Sequence, residues 1–372
     1  MDDGGRRLFD FVRAVAIVWI FSYHFFHFRY FMTPFGEDFA RSVLDFFFVD
    51  ATKGWWGYIK GVFIVAFMNG HRGVELFFIA SGFGLYAGYL KSPGRWRAFF
   101  LKRAIRILPL YWVSIVVVYF RDSPTVSLKA LLEHSVFLGI YGDEPLAFGP
   151  LWFVSVIVLC YALMPVFVRA FDAGWAGWLF CISLVASPLS LSLGFGDVQL
   201  FMYLPGFLFG MLLARLSNAA TVQFARLTWL FALGALAFVA SIVGLAYHAV
   251  PQFIAGKAMV GMFAFMAVAW LYRILTILPA MARAVDVISR EIARASYVTF
   301  LFHMSAILLL STIAYRSGLM HAKLTEDGLV YFTSDAEFVV LGMVTFIILA
   351  FVSWVAQRGY DRYASRLLAR VI

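Results

Sequence analysis

The chain has 372 residues, of which 63% are hydrophobic, 19% aromatic and only 14% charged, and 42 of them are Phe. Soluble domains run at roughly 45–50% apolar and about 25% charged. A mean hydropathy of +0.86 is more apolar surface than a globule can hide from water, which excludes a cytosolic enzyme, a secreted domain and a disordered chain. The formal net charge of +9 does not call for nucleic acid, because the basic residues gather in the short segments between apolar runs.

Those runs are long and unbroken rather than alternating along ~10-residue segments, so a β-barrel is disfavoured. The expected class is all-α, a polytopic membrane helical bundle with about ten transmembrane helices, read as a single transmembrane domain over 1–372. Spans are predicted at 9–29, 73–90, 107–120, 148–168, 174–190, 200–214, 228–248, 255–276, 295–315 and 337–357. A charged, Trp-containing piece at 42–56 reads as interfacial or re-entrant, and the segment at 128–141 is amphipathic. With the N-terminus inside, 20 of the 30 Lys and Arg fall on the inner side and only 7 of the 21 acids do, so both termini are expected in the cytoplasm. The first run is too long for a signal peptide and lacks a cleavage site behind it. Cys160 and Cys181 sit inside apolar runs, where a disulfide framework has no place.

Ionisable groups inside spans are costly, so each is a functional candidate. In the first span His24 follows Arg13 by eleven residues, about 16 Å along a helix. Imidazole exchanges protons near neutral pH, which suits a general base; a packing hydrogen bond to a neighbouring helix fits the same position. The second span opens His71-Arg72-Gly73-Val74-Glu75. Glu75 enters at a depth His24 could share, where a carboxylate fixes a tautomer and stabilises imidazolium; otherwise it snorkels to the interface or pairs with Arg72. Arg103 and Arg106 stand at i,i+3 in the inner loop Lys102–Trp112, a spacing that suits bidentate phosphate contacts and equally the ordinary inner-side basic bias. In the ninth span Tyr297 precedes a mid-bilayer His303, which either binds substrate, supports the first histidine or makes a structural bond. No metal-ligand spacing, phosphate-binding loop or Gly-x-Ser-x-Gly elbow is present, so no metal is expected.

Together these motifs resemble the acyltransferase-3 family of integral membrane acyltransferases. Arg13 and His24 have the spacing of its first-span motif. The run from Gly73 to Phe83 is similar to its second-span signature, and Arg103-Ala-Ile-Arg106 followed by Pro109 and Tyr111-Trp112 to its Arg-x-x-Arg segment. Leu151-Trp152-Phe153 with Tyr161 and Pro165, and Ser296-Tyr297 with His303, complete the set in family order. Where many members carry acids, this chain has Ile157 and Val158. The resemblance implies a stand-alone membrane form, without the periplasmic esterase-like domain that some members append.

The resemblance implies transfer of an acyl group, usually acetyl, from cytoplasmic acyl-CoA to a hydroxyl of an envelope or exported glycan or lipid-linked sugar in a bacterial inner (cytoplasmic) membrane. Acyl-CoA would be a donor substrate rather than a permanently bound cofactor. Membrane lipid and polysaccharide synthesis machinery are the other expected partners, and nucleic acid is not. Arg103 and Arg106, with help from Arg13, would hold the CoA phosphates; His24, oriented by Glu75, would be the base or the acyl acceptor; Trp152, Tyr297 and His303 would line the sugar site. A transporter or flippase, or a non-catalytic partner of a polysaccharide export complex, is the alternative, although the internal repeats and broken half-helices common in transporters are absent from the sequence.

Overall fold

The computed structural model describes residues 3–30, 52, 54–122, 126–139, 148–192, 199–218, 228–246, 257–324, 330–332 and 334–371. Almost all of it is helix. α1 (Asp3–Tyr30) carries its charges in the first three turns, and no Asp, Glu, Lys or Arg follows Arg13 until Arg29. Gly54, at φ +91°, admits α2 (Trp55–Met68), which continues through a short 3₁₀ turn at Asn69–Arg72 into α3 (Gly73–Lys91). Only 52 and 54–56 of the segment expected at the interface lie among the described residues, and Trp55 and Trp56 there open this helical run. The apolar stretch behind them reaches Lys91 with few charges, so the run is long and apolar enough to be a membrane span.

The third expected span is longer than its apolar pattern suggested. α4 (Trp96–Asp122) is helical straight through Lys102, Arg103 and Arg106, so these residues sit on a helix and not in a loop. Long basic side chains keep their charged ends polar while their stems stay on the helix, so a basic run need not end it. α5 (Leu128–Ser135) is a short amphipathic helix capped by the Ser127 hydroxyl, which accepts from the Ala130 N–H. The span expected at 148–168 is two helices, α6 (Trp152–Ala162) and α7 (Met164–Asp172), bent by 45° at Leu163. Pro165 explains the break: it tolerates the first turn of a helix but not the interior of one.

The chain goes on through α8 (Ala176–Ser192), α9 (Gln199–Asn218), α10 (Thr228–Ala246), α11 (Lys257–Leu275) and the 38-residue α12 (Pro279–Arg316). Two three-residue strands, β1 (Ala322–Leu324) and β2 (Val330–Phe332), pair antiparallel with Lys323 opposite Tyr331, and α13 (Asp335–Val371) ends the order. Among the described residues six helices are long and apolar enough to cross a membrane, or seven with the bent pair. The other three expected spans fall on apolar stretches at Ala176–Ala186, Thr228–Ile242 and Met259–Leu275, shorter than the ~20 residues a crossing takes. Residues 247–248 and 255–256, at the facing ends of the spans expected at 228–248 and 255–276, lie outside the described residues.

Lipid supplies no hydrophobic force between helices, so close approach and satisfied polar groups must hold them. α3 and α9 cross where a Cβ on Gly82 would overlap the Phe207 carbonyl and one on Gly210 would overlap that of Ile79. One apolar core joins α1, α3, α6, α9 and α11, with Phe9, Phe78, Phe83, Phe207 and Phe265 buried in it. A second, on α1, α12 and α13, packs Phe21 and Phe25 against Ile307, Phe338 and Leu341.

Candidate active site

Two histidines meet in the half of the bundle away from the N-terminus. His303 on α12 is fully buried, and its Nδ1 lies 2.6 Å from the Phe300 carbonyl oxygen. A carbonyl only accepts, so Nδ1 carries the hydrogen and the neutral ring presents Nε2 as an acceptor. That Nε2 is 3.1 Å from Nδ1 of His24, which also lies 3.0 Å from the Ile20 carbonyl oxygen. With an acceptor on either side, His24 Nδ1 holds the hydrogen and the ring's lone pair is on Nε2. This is the tautomer of a base whose far nitrogen is oriented by a second group.

Glu75 is elsewhere engaged. Its Oε1 accepts from Arg72 Nη1 at 3.0 Å, both side chains are buried, and Oε2 has no hydrogen-bond partner among the described residues. Gly261 makes room for it: a Cβ there would come within 2.6 Å of the Glu75 side chain. The pair sits where Gly73 lets the start of α3 lie against Ala16 and Ile20 of α1, one turn from His24. The pairing with Arg72, one of the readings of Glu75, is therefore present in the structure.

A cavity of about 490 Å³ opens toward the other end of the bundle. Arg13, Lys102, Arg103, Arg106 and Arg294 line it, five cations against the single carboxylate of Asp361. Arg13 lies against α3 at Gly84, its Nη2 being 3.4 Å from where a Cβ would stand, and its Nη1 is 3.5 Å from Asp10. Gly88, one turn on, lies beside Arg103, whose Nη2 is 3.7 Å from where a Cβ would stand; Arg103 stacks over Phe99 at 3.9 Å and donates to the Phe99 carbonyl at 3.0 Å. Tyr297 lines the cavity with its ring and donates its hydroxyl to the Ile107 carbonyl at 2.9 Å.

The cavity's apolar lining leads toward the histidines. Phe153, Ile157 and Tyr161 recur every four residues along α6, so one face of that helix is a cavity wall. The Phe153 and Phe300 rings are 4.8 Å apart, Phe77 stands 6.0 Å from Phe153, and Phe300 is 5.6 Å from His303. The lining therefore stops about one helical turn, some 5 Å, short of the histidine pair.

The structure thus brings together Arg13, Arg103, Arg106 and Tyr297 in the cavity, and His24 with His303 beyond it. Trp152 stands apart from that lining, its ring 5.2 Å from that of Tyr203 on α9, and its neighbour Phe153 takes the cavity position. Sequence reasoning passed over Lys102, Arg294, Phe153, Gln357 and Asp361 as site residues. The fourfold spacing of Phe153, Ile157 and Tyr161 was a usable signal; Gln357 and Asp361 carried none, because they lie in the last helix far from every motif. Among the described residues no group of three or more His, Cys, Asp or Glu is placed to hold a metal.

A protein-family model described as an acyltransferase domain matches residues 7–355. The comparison with curated proteins and the comparison with solved structures give no match.

Proposed function

The chain belongs to the acyltransferase-3 family, an integral membrane protein that transfers acyl groups, and from that premise we propose that it moves an acyl group, acetyl in the simplest case, from acyl-CoA to a hydroxyl of an envelope or exported glycan or lipid-linked sugar. The observation that carries this reading is a cavity with five cationic side chains whose apolar lining leads to within a turn of a tautomer-fixed histidine. Guanidinium groups suit the phosphates of CoA, and the aromatic passage suits an uncharged pantetheine arm. Arg13 and His24 are separated by about 16 Å along α1, a span for an extended arm rather than for a compact ligand. The Arg-rich end faces the cytoplasm in this reading, in a bacterial inner membrane.

In the transfer, His24 Nε2 accepts the proton of the acceptor hydroxyl while its oxygen attacks the thioester carbonyl. The carbon–sulfur bond then breaks, and the leaving thiolate takes that proton back from the imidazolium. His303 Nε2 accepts from His24 Nδ1 throughout, so it holds the ring and steadies the cation. Arg72 and Glu75 pair at the start of α3, beside the turn of α1 that leads to His24. Tyr297 fastens α12 to α4 and closes the donor side.

Membranes carrying the protein are expected to release free CoA from acetyl-CoA. His24→Ala should lose all of that release, a fall of 10²-fold or more, and Arg106→Ala should weaken donor use. Release that is equal in wild type, both variants and empty membranes, with acetyl-CoA and succinyl-CoA alike, rejects the enzyme reading in favour of a carrier.

A further inference from the structure

One wall of the cavity is left unused by the chemistry above. α13 contributes Gln357 and Asp361, one helical turn apart and so on one face. The Gln357 amide nitrogen donates to Asp361 Oδ1 at 2.9 Å. A carboxylate oxygen only accepts, so this bond fixes which way the amide points and leaves Oε1 as an acceptor. Oε1 is buried without a hydrogen-bond partner among the described residues, on a side chain only 8% exposed. Buried polar atoms are nearly always matched, and those left over in a binding cavity wait for a ligand group.

The other charged residues lining the cavity are all cationic. An anion entering the cavity goes to the guanidiniums, because an amide oxygen beside a carboxylate repels it. What the α13 wall can take is a neutral N–H donor. We infer that Gln357 Oε1, backed by Asp361, receives an N–H group of the acyl-CoA donor, and so adds a neutral recognition point to a site otherwise built for phosphate. This rests on the donor proposed above. Acyl-CoA carries such groups in two places, the exocyclic amine of its purine and the amides of its pantetheine arm.

The test is direct binding to the detergent-purified full-length protein by titration calorimetry. The probes are CoA, 4′-phosphopantetheine, which lacks the nucleotide, and a CoA analogue with a carbonyl in place of the purine amine. Gln357→Met keeps the side-chain length and removes the acceptor; Gln357→Leu stands in if thermal unfolding shows that the first variant is not folded. The expected result is CoA binding weakened about tenfold, the worth of one hydrogen bond left unmade in a buried site. If the purine amine is the source, 4′-phosphopantetheine binds the variant as it binds wild type, and the carbonyl analogue binds wild type about tenfold more weakly than CoA does. If an arm amide is the source, CoA and 4′-phosphopantetheine weaken alike and the analogue matches CoA. Unchanged binding of both CoA and 4′-phosphopantetheine to folded Gln357→Met, with loss in Arg106→Ala, overturns the inference and leaves the donor reading standing. No CoA binding by wild type removes the donor reading and the inference together.

Discussion

His24 and His303 share one hydrogen bond, and its direction separates their roles. His24 presents its lone pair on Nε2, while His303 contributes only an acceptor. His303→Ala should therefore lower kcat by about 10²-fold while the donor KM stays within about twofold, because the base remains but loses its orientation. His303→Gln, which can offer a carbonyl oxygen to His24 Nδ1, should recover part of the rate. Equal loss in the two variants, or a change confined to KM, would show that His303 does something other than orient the base. Away from the membrane interior, His321 is held from two sides by Glu337, which accepts from its backbone N–H at 2.7 Å and faces its Nδ1 at 2.8 Å. The hydrogen bond to that carboxylate raises the His321 pKa above its ordinary value of 6.5. A raised pKa means that the pair's contribution is full below pH 6.5 and is lost as the pH climbs through the raised value. Following the His321 ring by NMR should show titration above the ordinary value, returning to it in Glu337→Gln.

α4 shows how an element can lose a bond of its own and be held by its neighbours. Pro109 lacks the N–H that would have bonded the Ile105 carbonyl four residues back, and in lipid such an orphan needs another donor. The Tyr360 hydroxyl of α13 donates to that oxygen, and the Tyr297 hydroxyl of α12 donates to Ile107 nearby. The proline therefore creates the acceptor by which the arginine-bearing half of α4 is fastened to α13, and the Ile107 carbonyl fastens it to α12. Tyr360→Phe should cost about 1 kcal/mol of stability in a denaturant titration and weaken acetyl-CoA use through misplaced arginines. Pro109→Ala, which returns the Ile105 carbonyl to its own helix, should make Tyr360→Phe nearly neutral; full additivity of the two would refute the link. Gly82→Leu should be far harsher, since its side chain would meet the Phe207 backbone, and loss of folded protein by size-exclusion is the expected outcome. The same helix explains what could be read in advance. Arg103, Arg106 and Pro109 stand out in a sequence because charge and imino acid are costly in lipid, so their significance was visible before their surroundings were. Tyr360 and Gln357 are unremarkable residue types at their positions, and only the packing of α13 against α4 and α12 gives them a role. Helix ends were hardest to read where basic residues continue a helix, as at Lys102, or where a proline divides an apolar run, as at Pro165.

At the scale of the whole molecule the charges are sorted along the bundle. Arg7 pairs with the buried Asp286 at 3.1 Å, which also accepts from the Tyr272 hydroxyl at 2.9 Å. Glu291 gathers Trp354, Arg294 and Arg358, and Arg13 and Arg103 lie over the glycines at the far end of α3. Each of these contacts is nearer the N-terminal end of α1 than the histidine pair is, so the cavity cations share one end and the two histidines lie deeper. A charged donor then has one favourable way in, from the Arg-rich side, because its phosphates cannot pass the Phe77, Phe153 and Phe300 rings without leaving water and counter-charge behind. In the proposed reaction the acceptor hydroxyl then reaches His24 from the opposite side of those rings. Sealed vesicles of defined orientation test this arrangement, since acetyl-CoA does not cross a bilayer. Inside-out vesicles should consume it when it is added outside, and right-side-out vesicles should do so only after they are permeabilised. Equal consumption by intact vesicles of both orientations would mean that the donor enters by another route. The cationic cavity would then have to serve the acceptor, an anionic lipid-linked sugar, and Arg106→Ala would weaken acceptor use while sparing the donor.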